Sequence, residues 1–128
     1  MSQAFVLRFT TYAVAAILAV LNALHLAYGL PRLRRRIAAG EVSASLATPF
    51  TVAWLYIGLA GVAFSVLLFV SAPGLIAGQG VARNVVLTIA LTLIALGVCS
   101  YALARKHPGL LFIAVFGIVL LAPIVAFQ

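Results

Sequence analysis

Of the 128 residues, 66% are hydrophobic, against eight Lys or Arg and a single acidic residue, for a formal charge of +7. A water-soluble domain carries about a quarter charged residues, so this composition excludes one and makes lipid the solvent for most of the chain. It also excludes a nucleic-acid-binding face, because so few polar residues cannot build one, and it leaves anionic lipid headgroups as the natural counter-ions.

Four apolar runs follow in chain order, Phe5 to Leu30, Phe50 to Val70, Val85 to Ala104 and Leu110 to Phe127. Each is long enough to cross a hydrocarbon core of about 30 Å as a helix. None alternates apolar and polar residues at period two, as a lipid-facing barrel strand must. Backbone groups in lipid need partners within their own segment, so the fold class is all-α: an integral membrane bundle of four transmembrane helices in a single domain, 1–128. A cell (inner) membrane location, crossed several times, is expected.

The first run is N-terminal, but its basic cluster follows the apolar stretch instead of preceding it, so it reads as a retained anchor and not a cleaved signal. The stretch HLAYGLPRLRRR, residues 25–36, ends it. Depth follows from the helix rise. With the first helix centred near Leu18, Asn22 lies about 6 Å and His25 about 10 Å toward the basic side, with Tyr28 at the interface. Arg8, Thr11, Ala15, Asn22, His25 and Gly29 fall on one stripe at spacings of three, four and seven, a face expected to meet other helices.

Residues 31–48 form the first loop. Between Pro31 and Glu41 a turn or two of interfacial helix is expected, with Leu33 and Ile37 on one face and arginines flanking them. Thr48-Pro49 reads as an N-cap followed by proline at the first position of the second helix. That helix carries Trp54 and Tyr56, which with Tyr101 make an aromatic belt, and a notch of Ala53, Gly61 and Ser65 on one face, with Gly58 beside it. The Gly-rich stretch 71–84 is the opposite loop. The third helix brings Cys99, Ser100 and Tyr101 into the half already holding His25, and the lone cysteine excludes an intramolecular disulfide. His107-Pro108-Gly109, in the loop 105–109, should turn the last two helices into an antiparallel hairpin. The fourth helix has no polar side chain before Gln128, and Ala114 and Gly117 notch it.

Four crossings put the loops 31–48 and 105–109 on one side. They hold Arg32, Arg34, Arg35, Arg36, Arg105 and Lys106, against only Arg8 and Arg83 opposite, so the positive-inside rule makes them cytoplasmic and both termini non-cytoplasmic. Glu41, the only acid, would pair with Arg105 or Lys106, or serve as an acid or base beside His25.

Chemistry is constrained mainly by what is missing. One Cys, two distant His and one acid supply no metal set, and there is no phosphate loop, carboxylate pair or Ser-His-Asp arrangement. The layer at mid-depth is nearly all aliphatic, so one copy offers no conduction path. No cofactor is called for. The leading expectation is a small multipass protein acting through helix packing, as a homo-oligomer or an accessory subunit. An alternative is a lipid- or isoprenoid-directed carrier or enzyme, with His25 and Glu41 as candidate catalytic groups and Asn22, His25, Tyr28, Arg32, Arg34, Arg35 and Arg36 as ligand-binding ones. A third is a redox subunit in which His25 from two copies ligates haem.

Overall fold

A computed structural model describes residues 2–103 and 110–127, and these are all-helical. Helix α1 spans Gln3–Leu24, a π-helical turn His25–Gly29, α2 Leu30–Ala38, α3 Ala44–Ile76, α4 Gly80–Leu103 and α5 Leu111–Ala126. From Gln3 to Ala38 the helix is continuous over 36 residues, and α3 has 33, or about 54 and 50 Å. These two and α4 are long and apolar enough to cross a membrane; α5, with 16 residues, is shorter.

The helices outrun the apolar runs. Of the expected loop 31–48, residues 31–38 are helical and α3 already begins at Ala44, so only 39–43 turn; of the expected loop 71–84, only 77–79 turn. Nothing in a bilayer boundary stops a helix; a residue that can adopt positive φ does. Gly40 (φ 75°) and Gly78 (φ 73°) supply it. After α2, the Gly40 amide donates to the Ile37 carbonyl and the Glu41 amide to that of Arg36; after α3, Gly78 donates to Leu75 and Gln79 to Gly74. Both are Schellman closures, which need a left-handed residue at the glycine position.

Thr48-Pro49 therefore does not start the second helix. The Ser43 carbonyl accepts the Leu46 and Ala47 amides instead, and Pro49 sits in the second turn. There it forfeits one bond to the Ser45 carbonyl at an exposed helix end, where water can take the vacated acceptor. The basic stretch, too, is not a separate helix lying on the surface but the last turns of a helix entering from α1.

The chain groups into two compact units, Met1–Ala15 with Leu67–Gln128, and Ala16–Val66. In the first, four helical segments share a core: Leu7, Thr11, Val14 and Ala15 of α1; Leu68, Ala72 and Leu75 of α3; Val86, Ala90 and Leu93 among others of α4; and Ala114, Phe116, Leu120 and Ile124 of α5. Helices α4 and α5 run antiparallel, since Gly97 faces Ala114 while Gly117 faces Ala90 and Ile94. A Cβ on either glycine would strike backbone of the other helix, so this hairpin, expected from its short link, packs at small-residue notches. The link itself, 105–109, lies outside the described residues. The Gln3 side-chain amide donates to the Phe127 carbonyl (3.2 Å), linking the start of α1 to the residue that follows α5.

The second unit is a two-helix hairpin, residues 16–38 against 44–66. Its register follows from three facing pairs, Asn22 with Gly61, Leu26 with Gly58, and Trp54 with Gly29. A pair of helices encloses little, and only Leu18, Gly58 and Ser65 are buried among its residues.

Candidate functional site

The candidate catalytic and ligand-binding residues named from the sequence all fall in the hairpin 16–66, and they are spread along it. At its inner level Asn22 is half-buried and donates its side-chain amide to the Leu18 carbonyl of its own helix (2.7 Å). Gly61 clears the space that this amide occupies, since a Cβ there would overlap it.

One turn on lies a clasp between the two helices. The His25 ring stacks on the Trp54 indole, with centroids 4.4 Å apart and planes 9° from parallel. Two reciprocal hydrogen bonds frame the stack: His25 Nε2 donates to the Trp54 carbonyl and Trp54 Nε1 donates to the His25 carbonyl, each at 3.3 Å. The first requires the imidazole proton on Nε2, because a carbonyl can only accept. Gly29 completes the seat; a Cβ there would meet the indole at 2.9 Å.

The π-helical turn explains why the clasp sits here. Pro31 has no N–H to offer the Ala27 carbonyl, and its ring would crowd that carbonyl in a regular helix. The turn before it widens, and the Leu30 amide donates to His25, five residues back. The His25 carbonyl thus accepts from both Leu30 and the Trp54 indole. Such bulges are frequent at functional sites, and this one re-aims a backbone carbonyl at a neighbouring helix.

Tyr28 and Tyr56 lie at the next level, opposite one another in the hairpin's register, and both are 71% exposed. Both rings therefore lie on the hairpin's surface. Beyond them Arg32, Arg34, Arg35 and Arg36 are exposed on α2. Arg36 Nε donates to Glu41 Oε2 at 2.6 Å. Arg105 and Lys106, the partners expected for Glu41, lie outside the described residues; the bond to Arg36 stands independently of them. Its reason is local: the Schellman turn sets the residue after the glycine beside the one five positions earlier.

The structure therefore brings His25 to Trp54 and Glu41 to Arg36, but not Glu41 to His25. Thirteen residues of helix, about 20 Å, separate His25 from Ala38, where α2 ends just short of Glu41. Trp54 is the site residue that sequence reasoning left in an aromatic belt. Its pairing depends on the hairpin register, which the Gly58 and Gly61 notch could have supplied.

Elsewhere polar side chains of the long helices fold back on their own backbone. Thr10 donates to Val6, Thr51 to Ala47, Ser65 to Gly61, Thr88 to Asn84 and Thr92 to Thr88, at 2.8–2.9 Å. Among the described residues no buried side-chain nitrogen or oxygen lacks a partner, and no three His, Cys, Asp or Glu gather as metal ligands. Comparison with known proteins gives no relative: no protein-family model, curated protein or solved structure matches the chain.

Proposed function

We propose that this chain is a four-span protein of the cell (inner) membrane that works by helix packing, as a homo-oligomer or as an accessory subunit of a larger membrane complex, with both termini on the non-cytoplasmic side. The observation that carries this reading is where the polar groups go. The Thr10, Thr51, Ser65, Thr88 and Thr92 hydroxyls and the Asn22 amide bond to their own helices, His25 and Trp54 bond to facing backbone carbonyls, and among the described residues no buried side-chain nitrogen or oxygen is left without a partner, so these groups are spent on the fold. An enzyme or carrier site needs such groups left free and converging on a cavity.

The hairpin's composition supports the same reading. Large apolar side chains on it, among them Ile17, Val20, Leu21, Leu24, Ile57 and Leu59, are exposed, and a surface of that kind is covered by lipid or by another helix. For α5, 16 residues rise about 24 Å, short of the full hydrocarbon thickness but within what a thinned bilayer or its flanking residues accommodate.

Native mass spectrometry of gently extracted protein tests the proposal: a dimer, a higher oligomer or a co-purifying membrane subunit is expected, and a stable, partner-free monomer overturns it. Orientation is tested in a Cys99→Ala background with a membrane-impermeant maleimide. Ser2→Cys should label on intact cells and Ser43→Cys only after permeabilisation; the reverse pattern overturns the topology.

A further inference from the structure

Past the tyrosines the hairpin opens into a groove of about 260 Å³ between α2 and the start of α3, lined by Arg34, Ile37, Ala47, Thr48, Thr51 and Val52. Its place along the helix axis is set by neighbouring side chains. Tyr28 and Tyr56 are the outward-facing aromatic pair, and amphipathic rings of this kind settle at the level of the headgroups. Arg34 follows Tyr28 by six residues, about 9 Å along the axis, and an arginine head can reach back toward that level on its own stem. The floor of the groove is aliphatic and its rim carries one guanidinium and the Thr48 hydroxyl, since the Thr51 hydroxyl donates to the Ala47 carbonyl.

Charge decides what such a groove takes. Glu41 is the only acidic side chain in the sequence, and in the fold its carboxylate is held by Arg36. No second acid exists in the chain to neutralise Arg34. On α2 the apolar positions Leu30, Leu33 and Ile37 share a face; Arg34 borders that face and therefore the groove, whereas Arg32 and Arg35 project from the opposite side. The four arginines are thus unlike: one is neutralised, two point away from the hairpin partner, and one borders a preformed concavity with the Thr48 hydroxyl beside it.

We infer that this groove is a site for the headgroup of a single anionic phospholipid, its phosphate held by Arg34 with the Thr48 hydroxyl beside it, its glycerol end against Val52 and its outer headgroup atoms against Ala47. The inference rests on the membrane reading given above. It differs from the general attraction of a basic segment to an anionic leaflet in naming one arginine, one facing helix and a stoichiometry of one lipid per chain. A phosphodiester suits the set, since guanidinium and hydroxyl donors recognise its oxygens directly.

The test reconstitutes full-length protein into vesicles of phosphatidylcholine mixed equally with phosphatidylglycerol of the same acyl chains, and counts retained lipid by native mass spectrometry. Wild type should keep one phosphatidylglycerol in preference to phosphatidylcholine. Arg34→Gln should lower that retention about fivefold, as expected for one basic contact, and Ala47→Leu, which fills the groove without changing charge, should lower it comparably. Arg35→Gln removes the same charge from the far side of α2 and should leave the single bound lipid in place.

Equal losses in Arg34→Gln and Arg35→Gln, with Ala47→Leu silent, would mean diffuse attraction and overturn the site. Displacement of the lipid by sodium phosphate but not by sodium chloride of equal ionic strength would assign the groove to a soluble anion and overturn it likewise. Flotation with vesicles of phosphatidylcholine alone separates the two layers of the argument. Wild type that fails to float removes the membrane reading, whereas wild type that floats but shows no preference for phosphatidylglycerol removes only the groove.

Discussion

Glycine does opposite work in the two compact units. In residues 1–15 and 67–128 it lets backbone meet backbone, at Gly97 against Ala114 and at Gly117 against Ala90. In residues 16–66 it makes room for side chains: Gly61 for Asn22, Gly58 for Leu26, Gly29 for Trp54. Four helical segments in the first unit bury an aliphatic core that close approach makes dense, while two helices in the second bury almost nothing and are joined by a polar and aromatic clasp. A two-helix hairpin has no interior in which to gain from packing, so directional contacts between facing helices carry the specificity that a core carries elsewhere.

This contrast predicts a steep difference between nominally identical substitutions. Gly117→Ala places a methyl against the Ala90 carbonyl and the Ile94 backbone, which have no rotamer to escape into, and should destabilise by about 3 kcal/mol or abolish folding. Gly58→Ala meets the Leu26 side chain, which can change rotamer where backbone cannot, and should cost about 1 kcal/mol. Unfolding in mixed micelles, followed by circular dichroism, compares them; equal losses would dissolve the distinction between the units.

The clasp should give the next largest effect. Trp54→Ala removes the stack and one of the two reciprocal bonds and is expected to destabilise the hairpin by about 2 kcal/mol; Trp54→Phe keeps a ring but loses the indole N–H, at about 1 kcal/mol. In Trp54→Phe the His25 carbonyl still accepts the Leu30 amide, so it is not orphaned and the loss stays modest. A double-mutant cycle with His25→Phe should return a coupling energy, and an additive result would show that the stack contributes nothing. Hydrogen exchange at the Leu30 amide is the local readout, expected to quicken in Trp54→Ala and to stay unchanged in Gly58→Ala.

At about 1 kcal/mol come the two turn glycines. Gly40→Ala and Gly78→Ala each force a methyl-bearing residue into positive φ with open space around it, so backbone strain is the whole effect. Similar losses in both would show that the turns, unlike the helix contacts, are equivalent in the two units; Gly→Asn at either position should recover part of the loss.

What could be read from the sequence divides along physical lines. Helix class and the three long spans follow from apolar run length, because lipid enforces internal hydrogen bonding. Helix ends do not, because hydropathy marks where lipid stops and not where the backbone turns: Ser43-Ala-Ser-Leu-Ala-Thr48 is polar enough to read as loop, yet from Ala44 it is helical. The turn-making glycines, Gly40 and Gly78, were better guides than Thr48-Pro49. At the site, Asn22, His25 and Gly29 fall on an inward stripe as their spacing indicates, while Arg8 on the same stripe is exposed. The partner of His25 was not legible, since Trp54 is 29 residues away and its register is fixed by a turn five residues long.

Glu41 gives the smallest effect and the sharpest link between turn and groove. The Arg36–Glu41 pair is short but lies in the open, with the two side chains 64% and 49% exposed, so water and salt screen it and its contribution is at most about 1 kcal/mol. Glu41→Gln should therefore change stability slightly at low ionic strength and not at all at about 1 M salt, where the screening length falls to a few ångströms. The Schellman hydrogen bonds use backbone groups only and should survive the substitution, so the turn keeps its shape. What changes is charge: with its partner neutralised, Arg36 joins the unpaired arginines of α2. Binding to vesicles containing phosphatidylglycerol should then rise by about fivefold at most while the number of tightly retained lipids stays at one, because Arg36 is not among the residues lining the groove. A second tightly held lipid in Glu41→Gln would mean that the carboxylate, and not the concavity beside Arg34, sets how many headgroups the hairpin holds.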